Sequence, residues 1–187
     1  MPHIHTEPGQ HDVTVSAYIM REIAGELRGL VHVHKRIRKL MQIGGHLEIN
    51  ETPMQCLAKE IQEESGYSVG QIDIVQPFET QLELEWGTVQ PTPLLSVTFA
   101  QAAQHYHDDY IYACMAHGEP KDKPAKGESN DIRWLSFAEM QREANKGLML
   151  IDAFRIYAYI FEMCKAGYRV QPLASFSQAL PEQGYNR

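Results

Sequence analysis

The segment that most constrains this chain is residues 44–67, GGHLEINETPMQCLAKEIQEESGY. Its two consecutive glycines allow a sharp turn or a backbone that another group can approach closely. A helix should open at Thr52, whose hydroxyl can cap it, with Pro53 at the first helical position and Gln55 where a capping box wants Glu or Gln. Gly66 ends it. At about 100° per residue, Met54, Leu57, Ala58 and Ile61 form an apolar stripe for a core. Glu60, Glu63 and Glu64 share one arc beside that stripe. Like charges one turn apart disfavour a helix by roughly 0.2–0.5 kcal/mol per pair, so a solvated acidic face is the plain reading of an arbitrary helix. Here, however, a glycine loop bearing Glu48 and Glu51 adjoins the cluster. Carboxylates converging from a loop and a helix suit a hard, oxygen-seeking cation. The pattern predicts a helix over 52–65 against a sheet edge, with Glu60 and Glu64 on one side and Glu64 outside the core.

The rest of the chain sets the frame for that segment. Its 187 residues, 43% hydrophobic and 22% charged, fit one globular domain. The core is expected over about 11–167, with 1–10 and 171–187 irregular. Seventeen basic against twenty-four acidic residues leave a charge of −7, which argues against a dedicated nucleic-acid binder. A small phosphorylated ligand stays compatible, because a bound divalent cation reverses the local charge. Cys56, Cys114 and Cys164 are far apart and odd in number, as expected of reduced cysteines. No secretory signal is visible at the start, and the longest apolar stretch, 148–161, is broken by Asp152 and Arg155. The expectation is a cytoplasmic protein without a membrane partner.

Alternation of Val13, Val15, Ala17 and Ile19 predicts a half-buried strand from His11. Further strands are expected at 30–34, 71–79, 81–86, 94–100, 109–116 and 131–135, and helices at 137–145 and 150–166. The polar stretch 118–130 should be a loop. Strands flanked by helices make an α/β domain.

The 44–67 segment resembles the Nudix box, G-x5-E-x7-R-E-U-x-E-E-x-G-U with U a bulky apolar residue. Gly45, Glu51, Glu60, Ile61, Glu63, Glu64 and Gly66 stand at matching places. Lys59 replaces the arginine and Tyr67 the last aliphatic residue. Gly44 to Glu48 also resembles the family's GGHxE opening, and Glu128 to Trp134 its usual late strand. The resemblance implies a Nudix-type α/β/α sandwich with a mixed β-sheet. It also implies hydrolysis of a nucleoside diphosphate linked to another group, with Mg²⁺ or Mn²⁺. By resemblance Glu60, Glu63 and Glu64 hold the metal, with the Gly45 carbonyl and a late carboxylate, Glu128, as further ligands. Glu60 or Glu63 orients or deprotonates water, and Lys59 belongs with them as the orienting cation. Lysine keeps the arginine's charge but loses its planar fork. The alternative is a nucleotide-binding sensor of the same fold without hydrolysis, which Lys59 mildly favours. A diphosphate isomerase would need protonating groups that the sequence does not reveal.

Outside the box, His46 is the best histidine candidate for lining the site, and Glu51, His46, His105 and His107 are assigned to substrate. His105 and His107 would share a strand face, and such a pair with a carboxylate could hold Zn²⁺ or Fe. No partner cluster stands near them in sequence, and hydrogen-bonded surface histidines are commoner. Glu119 competes with Glu128. Phe78, Trp86 and Trp134 could stack a base, though buried sheet aromatics are the default. Phe154, Tyr157, Tyr159 and Phe161 surround the last helix, which implies burial or a subunit interface and hence a homodimer.

Overall fold

A computed structural model describes residues 7–77, 84–85, 87–101 and 105–176. Two long strands build its centre. β1 (His11–Ile23) turns through Ala24 and Gly25, both at positive φ, into β2 (Glu26–Val33). Such a two-residue turn matches the twist of an antiparallel hairpin. β3 (Leu40–Met41) and β4 (Ile43–His46) precede α1 (Pro53–Ser65). β5 (Ile72–Gln76), β6 (Leu95–Ala100), β7 (Tyr106–Ala116) and β8 (Ile132–Ser136) follow. α2 (Phe137–Asn145), α3 (Ile151–Ala166) and β9 (Arg169–Pro172) complete the described elements.

The sheet is mixed. Its order is β3-β2-β1-β7-β5-β9, with β4 on β1, β6 on β7 and β8 on β2. β1 and β7 run parallel over ten residue pairs, and the other pairings are antiparallel. β1 is buried on both faces rather than half-buried, because helices cover the sheet on both sides. On one face Val15, Ala17, Ile19, Ile43 and Tyr112 pack with Met54, Leu57, Ala58 and Ile61 of α1. On the other, Tyr18, Met20, Val31 and Ile111 pack with Met140 of α2 and Ala153, Tyr157 and Ile160 of α3. The architecture is therefore an α/β/α sandwich. α1 lies on a sheet face and not at its edge, since its apolar stripe needs a surface wide enough to bury it.

Other expectations shift for local reasons. α1 carries the predicted capping box: Thr52 Oγ1 accepts from the Gln55 amide, and Gln55 Oε1 accepts from the Thr52 amide. The strand expected at 109–116 starts earlier, at Tyr106, because β1 and β6 both pair with those extra residues. The glycine segment is extended as β4 and pairs with β1. The tail is not irregular from 171. β9 pairs with β5, and Leu173 and Phe176 fill the α1-side core. Residues 78–83 and 86, with the strand expected at 81–86 and the stacking candidates Phe78 and Trp86, lie mostly or wholly outside the described residues, as do 1–6 and 177–187. In α3, Tyr157 and Phe161 are buried but Tyr159 is 52% exposed. Among the described residues no helix is long and apolar enough to cross a membrane.

The second core is tight where β2 passes under α3. A Cβ at Gly29 would lie 2.5 Å from Met140 Cε and 2.7 Å from Tyr157 Cε1. The methionine can yield, but the Tyr157 ring is pinned by its hydroxyl donating to the Leu30 carbonyl. Gly29→Ala should therefore destabilise the fold by about 1–3 kcal/mol, the usual cost of overpacking. Denaturant unfolding of the variant checks this, and an unchanged midpoint would show that the layer is loose.

Candidate active site

The site is built where α1 crosses the glycines of β4. Alternation along β4 turns Gly45 to the α1 face, opposite Val15 of β1. Its lack of a side chain is what the site uses: a Cβ there would stand 2.5 Å from both Cδ and Oε1 of Glu60. The neighbouring amide of Gly44 donates to Glu64 Oε2 at 3.1 Å. Two carboxylates one helical turn apart are thus laid against the strand backbone, at 6% and 8% exposure for Glu60 and Glu64. Glu64 is buried, contrary to the expectation that it lies outside the core, because the glycines let α1 come close.

Burial dominates the electrostatics. It pushes the Glu60 carboxyl up to about 7, assisted by the charges of Glu63 and Glu128 and opposed by Lys59. It pushes Glu64 up to about 8, against the hydrogen bond from Gly44 and assisted by Glu60 and Glu128. Across from Glu64, His32 Nδ1 stands 3.9 Å from Oε1, too far for a hydrogen bond. Burial and the neighbouring His34 hold His32 down at about 4, so it is neutral near pH 7 and does not offset the carboxylate. Glu60 Oε1 and His32 Nδ1 are buried and have no hydrogen-bond partner among the described residues.

The remaining predicted residues divide into three groups. Glu63 is exposed, beside an open cleft of about 420 Å³ lined by Lys59, Gln62, Glu63, Asp122, Lys123 and Ala125. Its backbone carbonyl accepts from the Ala125 amide, which holds the 118–130 loop on α1. Glu128 in that loop pairs with Lys35 at 3.5 Å and acts electrostatically on Glu60 and Glu64. Glu119 instead pairs with Arg21. Lys59 Nζ reaches Glu51 at 2.7 Å and Glu48 at 3.5 Å, so lysine and Glu51 together anchor the loop into α1. That contact holds Glu51 below the usual carboxylate range despite its partial burial. Trp134 is engaged already, its face covered by the Arg21 guanidinium at 4.6 Å.

His46, His105 and His107 come together with one another, but on the opposite face of the sheet from Glu60. His46 is one residue past Gly45 and pairs with Thr14, whose side chain points away from α1 to reach Asp109. Of two further residues near these sites, His32 was legible from the sequence as close to the site, and Asp12 escaped it. His32 is in phase with Leu30 along β2, a signal that marks it as inward-facing. Asp12 is in phase with Thr14 and Ser16, but only the register of β1 against β7 brings it to His107.

The NUDIX domain profile matches residues 10–154. The chain belongs to the NUDIX domain family, and its fold is the one that Nudix hydrolases share. No curated protein matches it in sequence. Among solved structures it is similar to a NUDIX-family hydrolase from Clostridium perfringens, at 22% identity and TM-score 0.63 over 82% of this chain and 97% of that one. It is similar also to a C. elegans Ap4A hydrolase, at 13% identity and TM-score 0.62 over 83% and 98%. A third is the NUDIX domain of Shewanella oneidensis NrtR complexed with ADP ribose, at 12% identity and TM-score 0.60 over 86% and 90%.

The raised carboxyls fix the sign of a pH effect. An acid whose folded pKa lies above its unfolded value withdraws stability as pH rises between the two values. For Glu60 and Glu64 that window runs from about 4.5 to about 7–8. In metal-free protein, Glu64→Gln should raise the melting temperature at pH 8 by at least about 2–4 °C, the equivalent of ~1 kcal/mol for a chain of this size. At pH 4.5 it should change little. Melting curves at both pH values decide the matter, and an equal effect at both would mean that Glu64 is not held protonated by burial.

Proposed function

We propose that this chain is a metal-dependent diphosphate hydrolase acting on a nucleoside diphosphate linked to another group. The observation that carries the reading is the buried pair Glu60 and Glu64, pressed against Gly44 and Gly45 with no lysine or arginine in ion-pair contact among the described residues. Oxygen-only donors of this kind fit Mg²⁺ or Mn²⁺. The unpartnered Glu60 Oε1 supports the fit, since a cation would complete it.

In this reading Glu60 and Glu64 hold the ion, with the Gly45 carbonyl, Glu63 and Glu128 as further oxygen donors. The bound ion supplies charge neutralisation for the diphosphate and lowers the pKa of an attacking water. Glu60 or Glu63 takes the water's proton. Lys59 keeps Glu51 and the loop before α1 in place, and Lys123 lines the same open cleft as Glu63, where its charge would meet phosphate oxygens. The substrate is a small nucleotide, bound without nucleic acid or membrane, and the protein works in the cytoplasm.

A panel of nucleoside diphosphate derivatives, dinucleoside polyphosphates and ADP-ribose included, with Mg²⁺ or Mn²⁺ and read by phosphorus NMR, tests the reading. Cleavage should require the ion and fail in chelator. Glu60→Gln should lower turnover by at least about a hundredfold, since misplaced charge costs both alignment and electrostatic stabilisation. Tight binding of the whole panel's best ligand without cleavage would instead make the chain a sensor.

Lys59→Arg offers a separate check. A guanidinium can span Glu51 and Glu48 with parallel hydrogen bonds where lysine offers a point charge. The variant should fold normally and raise the catalytic constant. A fall in that constant, with folding intact, would show that the lysine is adapted to its own substrate.

A further inference from the structure

A second set of ligand-type side chains converges on the sheet face opposite Glu60. Asp12 stands at the start of β1, His46 at the end of β4, His105 just before β7 and His107 within its first turn of pairing. The register brings them together. Asp12 is opposite His107 in the parallel β1–β7 pair, and β4, antiparallel to β1, ends at the same margin with His46 opposite Thr14.

Asp12, His105 and His107 stand at the spacing of a coordination shell, and His46 adjoins them. His46 Nε2 lies 3.3 Å from His107 Nε2, and His105 Nε2 lies 3.3 Å from Asp12 Oδ2. His46 Nε2 and the same Asp12 oxygen are 3.9 Å apart. One ligand atom from each of Asp12, His105 and His107 falls within 4.8 Å of the others. Ligands bound tetrahedrally at about 2.0–2.1 Å are separated by about 3.3–3.4 Å. Among the described residues no other group of three such side chains converges this tightly.

We propose that Asp12, His46, His105 and His107 bind a transition-metal ion, Zn²⁺ by preference, as a site separate from the glutamates of α1. Three imidazoles and a carboxylate suit a borderline ion, whereas Mg²⁺ demands oxygen. Asp12 and His105 are buried while His46 keeps some exposure, which leaves a route of entry. All four donors sit on or beside strands of one rigid sheet, the kind of support that holds ligand geometry. The ion ties the end of β4 to the start of β7, and so fixes the strand that also carries Gly45.

The test uses the full chain, stripped of metal, saturated with Mg²⁺ and titrated with Co²⁺ under visible spectroscopy. One equivalent should give the strong absorption of four-coordinate Co²⁺, and Zn²⁺ should remove it stoichiometrically. Asp12→Asn and His107→Gln should each weaken Co²⁺ binding by at least about tenfold, the loss that even outer-shell changes bring. His46→Gln, at a partly exposed position, gives the same readout if a buried variant does not fold. The double variant Glu60→Gln, Glu64→Gln should keep the strong band, whatever its effect on hydrolysis. Weak six-coordinate absorption abolished by Mg²⁺, or a strong band that survives His46→Gln and His107→Gln, overturns the proposal.

Discussion

The close approach of the α1 carboxylates to the backbone of β4 is the contact on which the rest of the site depends. Residue 45 has no Cβ, so the Glu60 carboxyl can lie against the strand. At residue 44 a side chain would strike the Val15 carbonyl, while the amide is free to serve Glu64. A side chain at residue 45 would displace the Glu60 carboxyl, and one at residue 44 would push β4 off β1. The same approach removes two carboxylates from water, and desolvation lifts both toward neutral pH. Their environment contains no compensating histidine charge, because His32 is buried and neutral.

The sheet distributes chemistry to its two faces by simple alternation. Gly45 and His46 are consecutive, so one serves the glutamates under α1 and the other the histidine cluster on the far side. β1 repeats the pattern. Val15, Ala17 and Ile19 pack on α1, while Asp12, Thr14 and Ser16 face the other way. There Thr14 and Ser16 donate to Asp109 of β7 at 3.0 and 2.7 Å, which satisfies a buried carboxylate inside the one parallel pair of the sheet. Buried polar groups paired in this way hold two strands in one register.

Loops complete the site from outside. The 118–130 loop is fastened to the end of α1, where the Ala125 amide meets the Glu63 carbonyl and the Asp122 amide meets the carbonyl of Gly66. Gly66 has φ 76° and a side chain there would collide with Asp122, so the glycine both stops the helix and seats the loop. Glu128 is thereby brought within electrostatic reach of Glu60 and Glu64, and Lys35 partly balances it. On the other side, Lys59 binds Glu51 and Glu48, and the Cys56 thiol donates to the His46 carbonyl.

Local chemistry was legible in the chain by itself. Thr52, Pro53 and Gln55 mark the start of α1 and Gly66 its end, and the spacing of Glu60 and Glu64 puts them on one side of it, since caps and helical periodicity depend only on near neighbours. The matching positions of the box likewise need no tertiary contact to be read. What lies between distant segments was decided by the tertiary structure. Burial of Glu64 required β4 to pass under α1, and the strand character of 169–172 required an open edge at β5. The meeting of Asp12 with His105 and His107 required the parallel register of β1 with β7, across more than ninety residues of sequence. A two-residue period tells which face a side chain takes but not which strand will lie beside it, because that choice follows from packing the two cores as wholes.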